Sequence, residues 1–537
     1  MGKANSIHAK LALMPETTDF GHPRRWLVLV VLCLVLITIT MQVSILNTAL
    51  PTLVRELGAS DSQLQWIVDS YIVVLAGLTL TGAAVGDKFG RKKALILGLV
   101  VTVVTVSGAS IASEPTQLII WRALMGVGAA LTMPATLSIL VNVFREVKER
   151  RKAIAYWSLM NAIGSFIGPI TGGLLLAWFS WQSCFVVNLP ILLVTIVLCV
   201  IYIPDSRDPF TASFDLLGAL FSTVALATFI WSVIEGPAHG WTSLPILSGF
   251  TIAILAGMLF FWWENHTKSP MFELSLMKSP QLSAAALTLT FAFIAMSGAM
   301  FLATISLQLV KGYSPLQAAI ATSGPIVLVN LIVVPRAPWI MQRFGLRKTI
   351  AFGTAMTGVS ALSMTATTTT SPYWMLGLGF AFMATSFSVF MPASTEAMMT
   401  AVSPEKAGGA SALNQITRQA GQALGIALLG GIATVGFQNR FSEDSSSVAQ
   451  LTPEQLQGAD TSLSAAVQLA DTLPTEVHNS LMEVAGASYL YGMRIALILA
   501  AVLAFIGAIY AVKAIPTQIS HAGDAKPILD ESENIAK

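Results

Sequence analysis

Long apolar stretches, separated by short polar segments, recur along almost the whole chain. A helix needs about 20 apolar residues to cross the hydrocarbon core of a bilayer. The stretches of that length are 26–50, 64–86, 94–112, 117–142, 153–176, 183–203, 214–235, 245–264, 284–309, 318–341, 349–366, 373–401, 408–436 and 488–513. The pattern therefore predicts an all-α integral membrane protein with about fourteen transmembrane helices.

Basic residues concentrate in alternate loops between these predicted spans. Four Lys or Arg residues lie in 87–93, five in 145–152 and three in 343–348, whereas the intervening loops carry few. Positive residues close to a span resist translocation. We therefore expect a multi-pass protein of the cytoplasmic membrane, with the basic loops and both termini in the cytoplasm.

Composition excludes several other classes of protein. Hydrophobic residues make up 54% of the chain and charged residues only 11%, with a formal net charge of +2, against roughly 25% charged in a soluble domain. There is no basic patch for nucleic acid. Cys33, Cys184 and Cys199 lie in apolar stretches without metal-ligand spacing. We expect no metal or organic cofactor, and as partners only the lipid bilayer and a small hydrophobic or amphiphilic substrate.

One short motif occurs twice. Asp87-Lys-Phe-Gly-Arg-Lys-Lys93 follows the second span, and Gln342-Arg-Phe-Gly-Leu-Arg-Lys348 follows the tenth, 255 residues later (342 minus 87). Two related six-span halves are implied, an organisation common in secondary transporters. The predicted segments are a cytoplasmic N-terminal segment 1–25, an N-terminal six-helix bundle 26–203, two inserted helices with their loops 204–283, a C-terminal six-helix bundle 284–436 and 488–513, a long external loop 437–487, and a cytoplasmic tail 514–537.

The first copy of the repeated motif has the features of a gating loop. Gly86 and Gly90 allow a tight reversal of the chain, and Arg91 follows at once. Asp87 can cap a neighbouring helix N-terminus or pair with an arginine. The alternative interpretation is a solvated turn that serves only to fix topology.

A second glycine motif lies in the fifth span. Gly164, Gly168 and Gly172 recur every four residues and so occupy one helix face, which permits another backbone to approach closely. Pro169 removes a backbone donor and can kink the helix. Close packing without any transport role explains the glycines equally well.

These motifs resemble those of a known family. The 82–93 loop resembles the loop signature of the major facilitator superfamily, Arg122 in 121–128 its span-four motif, and 164–173 its antiporter motif. Segments 40–51 and 66–71 narrow the resemblance to the fourteen-span drug:H+ antiporters of the QacA, SmvA and EmrB kind. The resemblance covers roughly residues 25 to 515. It implies two pseudo-symmetric six-helix bundles plus two inserted helices, acting as a monomer in proton-coupled efflux of drugs, antiseptics or lipid-like molecules.

Charged residues inside the spans are the candidates for proton coupling. A charge at the bilayer centre costs about 2.5–3.5 kcal/mol on insertion scales, so it usually faces a partner or water. Asp69 and Arg122 lie at similar depths and are expected to meet across one cavity, with Asp69 the first choice for a proton carrier. A permanent Asp–Arg pair is the alternative. Glu396 is a second candidate, although it lies near a helix end where interfacial water is in reach.

Polar residues at mid-span depth are the candidates for the substrate cavity. They are Gln42, Asn47, Asn161, Asn330, Asn414, Gln415 and Arg418. The QacA pattern carries acids at the positions matching Gln42, Asn330, Asn414 and Gln415, so this chain departs from it. A buried dication needs opposing carboxylates, and the departure therefore favours neutral, zwitterionic or anionic amphiphiles.

The segment between the last two spans predicts two amphipathic helices over the outer mouth. Thr452-Pro453-Glu454-Gln455 reads as a helix start, and the predicted helices are Leu451–Gln457 and Thr475–Val484. They either gate the mouth or contact a partner, or they form a solvated connector.

Four other functions remain to be weighed. An enzyme is not expected, because no span carries a nucleophile and base or a clustered metal site. A channel would need a polar filter repeated around a pore, and none is evident. The alternatives left open are an exporter of one specific anionic or zwitterionic metabolite or lipid, and an importer of the same fold.

Overall fold

The computed structural model describes residues 22–206, 215–267, 279–402, 407–444 and 451–516. The long helices, numbered here in chain order, are α1 Arg25–Leu57, α2 Asp61–Phe89, α3 Arg91–Ser110, α4 Pro115–Val143, α5 Val147–Trp178, α6 Asn188–Tyr202, α7 Leu216–His239, α8 Leu244–His266, α9 Pro280–Ile305, α10 Pro315–Val333, α11 Ala337–Met364, α12 Trp374–Thr400, α13 Ala407–Asp444 and α14 Thr475–Ala514. The shorter elements are Ser183–Val186 before α6, a π-helix Ser306–Val310 after α9, a 3-10 turn Val334–Arg336, and Pro453–Ala459 and Leu463–Ala470 between α13 and α14.

The number of membrane spans follows from the lengths of these helices. In the described ranges, 11 helical stretches are long and apolar enough to cross a membrane, and α2, bent by 51°, makes a twelfth. One of the eleven is the 50-residue stretch Pro315–Met364, which at about 1.5 Å per residue is too long for one crossing and so supplies both α10 and α11. The apolar part of α5, Ile163–Trp178, supplies the last. The predicted all-α membrane fold with about fourteen spans is confirmed.

The second helix of each half begins in the same way. Ser60 accepts a hydrogen bond from the Gln63 backbone at the start of α2, and the Gln63 side chain bonds back to Ser60. Ser314 and Gln317 form the same capping box at the start of α10. This reciprocal arrangement satisfies two of the free N–H groups at a helix start, so both halves use one local device to begin their second span.

The duplication extends to backbone geometry and to helix packing. Gly90 has φ 111° and Gly345 has φ 77°, and these glycines occupy the same place in the two copies of the repeated motif. Ser44 of α1 donates to a backbone carbonyl of α5 at 3.4 Å, and Ser297 of α9 donates to one of α13 at 2.9 Å. Since α9 and α13 are the counterparts of α1 and α5, the predicted pseudo-symmetric six-helix halves are confirmed.

Helices α7 and α8 form the insert between the halves. They pack against each other, and α7 also packs against α2 of the first half and α13 of the second. The insert therefore lies along one side of the junction between the two halves.

Candidate functional site

The two halves meet near one end of their helices, the end opposite the basic loops, which the charge pattern predicts to be external and which we call the outer end. Gln308, in the π-helix after α9, donates from Nε2 to the Thr48 carbonyl of α1 at 3.1 Å. Gly173 of α5 lies so close to α10 that an added Cβ would be 2.7 Å from the Leu316 Cα. On the opposite side of the junction, α2 contacts α13 at Gln65. These contacts close the outer side of the molecule between the halves.

The helices between α13 and α14 add a further contact across the junction. The Asp61 carboxylate, at the start of α2, accepts hydrogen bonds from the Ser464 hydroxyl and, at 3.3 Å, from its backbone N–H. Gln468 donates to the Ala59 carbonyl at 3.4 Å. Helix Leu463–Ala470 belongs to the second half of the chain but is bound to the turn between α1 and α2. We call this contact the external latch.

The external segment differs in part from its predicted structure. The predicted helix Leu451–Gln457 is observed as Pro453–Ala459, with Thr452 as its N-cap. The predicted helix Thr475–Val484 is the first part of α14 rather than a separate element. Helix Leu463–Ala470 was not predicted, because its eight residues are too short for a clear helical period.

We expect Asp61→Ala to favour opening of the outer side, because it removes the acceptor for two of the three latch hydrogen bonds. A hydrogen bond to a charged group contributes about 1.5–3 kcal/mol, and a bond that joins the two halves is lost when they separate. The measurement is labelling of Thr48→Cys, a position 3% exposed, by a membrane-impermeant maleimide. Asp471→Ala, an exposed acid of the same segment, is the control, and equal labelling rates in the two variants would contradict the latch.

Asp69 is completely buried in α2. Within the described part of the chain, neither of its carboxylate oxygens has a hydrogen-bond partner. Gln65, one helical turn earlier, meets Gly430 of α13. Residues four apart share a helix face, so Asp69 lies on the side of α2 that faces α13.

Arg122 is also completely buried, but it binds a different face of α2. Its Nε donates to the Ile67 carbonyl at 3.0 Å, and its guanidinium lies 4.6 Å from the centre of the Tyr71 ring. Asp69 is two residues from each of these positions, so it points to the other side of the helix. The expected meeting of Asp69 and Arg122 does not occur in this conformation: their depths match, but their directions around α2 differ.

The candidates on α12 and α13 form a looser group. Asn414 donates to the Thr395 hydroxyl at 3.2 Å, and Arg418 donates to the Gln415 side chain at 2.6 Å. The neighbouring Glu396 is exposed. Within the described residues, Arg418 makes no ion pair with Glu396, and its Nε is buried without a partner. A guanidinium with an unused donor is thus held at mid-span.

The remaining cavity candidates are spread over both halves. Gln42 of α1 is 5% exposed, and its Nε2 finds no partner among the described residues. Asn47 is half-buried. Asn330 of α10, also half-buried, accepts a hydrogen bond from Ser388 of α12. The side chain of Asn161 lies outside the described residues.

The predicted gating loop is bound to the inner end of α6. Asp87 pairs with Arg91 at 2.8 Å, within the loop itself. The Arg91 backbone N–H donates to the Ser206 carbonyl at 2.9 Å, and Lys92 Nζ donates to the Val200 carbonyl at 2.8 Å. The loop therefore ties α2 and α3 to α6 on the inner side.

Substitution of the two loop glycines is expected to have unequal effects. Gly90→Ala forces a residue with a Cβ to adopt φ 111° and ψ 127°, a backbone conformation that costs a non-glycine residue about 1–3 kcal/mol. At Gly86 an added Cβ would lie 3.6 Å from the Ala94 Cβ, an ordinary contact, so Gly86→Ala should be close to neutral. Thermal melting of the two purified variants in detergent measures the difference. A melting temperature for Gly90→Ala as high as that of Gly86→Ala would contradict this account.

The glycine motif of α5 packs against α1. The glycines on this face are Gly164, Gly168 and Gly172. An added Cβ at Gly172 would be 2.9 Å from Ile45 Cγ1, and Pro169 is buried on the same helix. At the inner ends of the two helices, Arg25 donates to both Glu149 oxygens at 2.6 and 3.1 Å. These hydrogen bonds lower the pKa of the Glu149 carboxyl.

The sequence is similar to known transporters over most of its length. A family model described as the Major Facilitator Superfamily matches residues 32–426. Multidrug efflux pump LfrA of Mycolicibacterium smegmatis is 32% identical over 499 residues, covering 91% of this chain and 96% of that protein. Methyl viologen resistance protein SmvA of Salmonella typhimurium is 31% identical over 478 residues, covering 88% and 95%. The methylenomycin A resistance protein of Bacillus subtilis is 32% identical over 408 residues, covering 75% and 86%.

Solved structures match the fold as well. A bacterial homologue of the human lysosomal transporter Spinster, in an inward-facing and occupied conformation, superposes with a TM-score of 0.63 at 16% identity, covering 93% of this chain and 98% of that one. A POT family transporter in complex with 5-aminolevulinic acid gives 0.60 at 13% identity, covering 93% and 99%. At these identities the likeness shows the fold alone.

Proposed function

Because the chain belongs to the Major Facilitator Superfamily, and is thus a transporter rather than an enzyme, we propose that it exports amphiphilic compounds across the cytoplasmic membrane in exchange for protons. Relatives named as efflux and resistance proteins, about 30% identical over most of the chain, support efflux. We further propose that both termini lie in the cytoplasm, as the basic loops favour, and that the protein acts as a monomer, as its family resemblance implies.

The observation that carries proton coupling is the state of Asp69. An ionised carboxylate buried without a partner costs several kcal/mol, and Asp69 is buried with both oxygens unpartnered among the described residues. We infer that this side chain holds a proton while the outer side is closed. The same carboxyl would ionise wherever water reaches it, so its proton content follows the conformation of the protein.

A transport cycle follows from this dependence. Asp69 is ionised while the outer side is open, and closure of the outer contacts, which removes water from the carboxylate, makes it take up a proton from the external medium before it is buried. Water and substrate entering from the inner side then hydrate the carboxyl, and the proton leaves to the cytoplasm. The protein with substrate bound then opens to the outer side and releases the substrate there, which completes the exchange. Coupling requires that the proton and the substrate stabilise different steps of this conformational change.

The described charges favour neutral, zwitterionic or anionic substrates. Arg418 carries a buried Nε without a partner, and Gln42 and Asn330 are neutral side chains. A desolvated dication would lack opposing carboxylates. One relative is named for resistance to methyl viologen, which is a dication. This chain would transport such a dication only if Asp69 or Glu396 supplies the opposing negative charge. Strong, Asp69-dependent export of a dicationic dye alone would refute the preference.

The direction of coupling is tested with purified protein in proteoliposomes. An imposed proton gradient should drive accumulation of a lipophilic dye against the direction of proton flow. Movement of the dye with the protons would instead indicate an importer, and movement that only dissipates a dye gradient would indicate a channel. Either result would overturn the proposal.

A further inference from the structure

Three polar residues of α2 lie on the face that packs against α13. Asp61, Gln65 and Asp69 are spaced four residues apart, so they follow one another along one side of the helix. At about 1.5 Å per residue, Asp61 lies about 12 Å outward of Asp69, with Gln65 midway. The face therefore joins the external latch to the buried carboxyl that we infer to carry the proton.

Gln65, the middle residue, is buried against α13. It is 2% exposed, and within the described part of the chain its Oε1 has no hydrogen-bond partner. Its amide group lies directly over Gly430, where an added Cβ would be 2.8 Å from the Gln65 Cδ and 3.0 Å from its Oε1. A buried acceptor without a partner is costly. An unused acceptor at the junction of the two halves therefore indicates a small ligand that donates a hydrogen bond to it.

Gln65 and Asp61 line the same small cavity. Its volume is about 10 Å³, close to the smallest that holds one water molecule when two to four polar groups surround it. The polar side chains on its wall come from α2, α13 and α14, and they are Asp61, Gln65, Thr434 and Tyr489. Tyr489, which with Asp61 is titratable, donates its hydroxyl hydrogen to the Leu302 carbonyl at 3.1 Å, so its oxygen can still accept from a water. The wall thus fits a single water molecule.

The two acids of this face have opposite surroundings in the closed conformation. Asp61 accepts hydrogen bonds from the Ser464 hydroxyl and from its backbone N–H, and bonds donated to a carboxylate favour its ionised form. Asp69 has no such donor among the described residues, and it is the acid that we infer to be neutral. An ionised outer acid and a neutral inner acid are the charge states that remain after a proton has passed from Asp61 to Asp69.

We propose that this face of α2 is the path by which an external proton reaches Asp69 while the outer side closes, an inference that rests on the proposed proton coupling. Asp61 takes up the proton from the external medium and gives it to the water in the cavity. That water passes a proton of its own inward, through the water that still hydrates Asp69 at this stage, so that Asp61 ends ionised and Asp69 neutral. Gln65 is a positioning residue, because its Oε1 accepts a hydrogen bond from the water and takes no proton itself. Binding of Ser464 to the ionised Asp61 then ends the transfer.

Gln65→Met and Gln65→Glu form the matched pair for the test. Methionine has the length of glutamine but cannot hold the water, whereas glutamate keeps the acceptor. In proteoliposomes, proton-driven accumulation of a lipophilic dye should fall several-fold in Gln65→Met and stay close to the parent rate in Gln65→Glu, while dye counterflow at equal pH is unchanged in both. Deuterium oxide should slow accumulation by Gln65→Met more than accumulation by the parent, because proton delivery becomes the slow step. Equal losses in the two variants, a loss that counterflow shares, or a parent-like rate in Gln65→Met would overturn the path.

The water is tested separately by radiolytic hydroxyl-radical footprinting of the full chain in lipid nanodiscs. A disulfide between Gly173→Cys and Leu316→Cys holds the outer side closed, since an added Cβ at the first position would be 2.7 Å from the Cα of the second. Tyr489, 3% exposed, should be oxidised by radicals formed from the cavity water, and several-fold less in Gln65→Met. Tyr71, 2% exposed, is the control that should stay unmodified. Equal oxidation of the two tyrosines would overturn the water site.

The two measurements separate this inference from the function on which it rests. Oxidation of Tyr489 in a parent protein that shows no proton-driven accumulation would overturn the proposed function but retain the water site. Proton-driven accumulation that Gln65→Met leaves unchanged would overturn the path alone.

Discussion

Asp69→Asn is expected to abolish proton-driven accumulation of substrate while leaving substrate exchange in the absence of a gradient intact. Asparagine has the shape and the neutral charge that we infer for Asp69 in the outward-closed conformation, so the closed state should form normally. The variant has no proton to release when the inner side opens. The measurement compares dye uptake under an imposed pH gradient with dye counterflow at equal pH, both in proteoliposomes.

Glu396→Gln is the matched control for this prediction. Glu396 is exposed four residues before the inner end of α12, and we expect interfacial water to reach it in the conformation in which Asp69 is sealed. A group hydrated in both conformations gains no coupling free energy from their interconversion. We expect the Glu396 variant to accumulate dye at close to the parent rate. Parent-like accumulation in Asp69→Asn, or loss of accumulation in Glu396→Gln alone, would assign the proton to the other carboxylate.

The features predictable from the sequence are those that local patterns determine. Apolar length alone locates the spans, because every crossing must bury its backbone polar groups within a helix. The repeated motif reveals the duplication, and the same glycine adopts a positive φ in both copies. The four-residue spacing of Gly164, Gly168 and Gly172 predicts a packed face. The spacing does not identify α1 as the partner, because it describes only the face of α5 and not the helix that packs against it.

The features missed by the sequence analysis depend on rotation and on long-range pairing. Depth along a span is proportional to residue number, so Asp69 and Arg122 were placed at one level. The directions in which the two side chains point depend on how α2 and α4 are rotated about their axes to bury Tyr71. That rotation cannot be obtained from residue numbers. The latch joins residues 403 apart. Asp61 and Ser464 look like ordinary helix-start residues in the sequence, and only the folded chain brings them together.

The same distinction applies to the insert. The two inserted apolar helices can be recognised in the sequence, but the sequence does not show which helices of the two halves they pack against. Thr223 beside Gly77 places α7 against α2, and Val233 beside Gly431 places it against α13.

Gly168→Ala is expected to cause a large loss of stability, in contrast to Gly324→Ala. A Cβ at Gly168 would overlap the Ser44 hydroxyl and lie 2.9 Å from both the Ile45 nitrogen and the Met41 carbonyl oxygen of α1. Rotation of the serine can relieve only the first of these contacts, because the other two involve backbone. Overpacking of this kind costs about 1–3 kcal/mol, and here it pushes apart helices that move together as part of one half.

Gly324 is the matched control for this loss of stability. It is also a helical glycine within a span, but open space surrounds it. Alanine there should be neutral or stabilising by up to about 1 kcal/mol, the difference in helix propensity. Thermal melting in detergent measures both variants, and Ser44→Ala combined with Gly168→Ala should recover only part of the loss. Full recovery in that double variant would show that the hydroxyl, rather than the approach of the two backbones, limits the packing of α5 on α1. Equal melting temperatures for Gly168→Ala and Gly324→Ala would contradict the close packing itself.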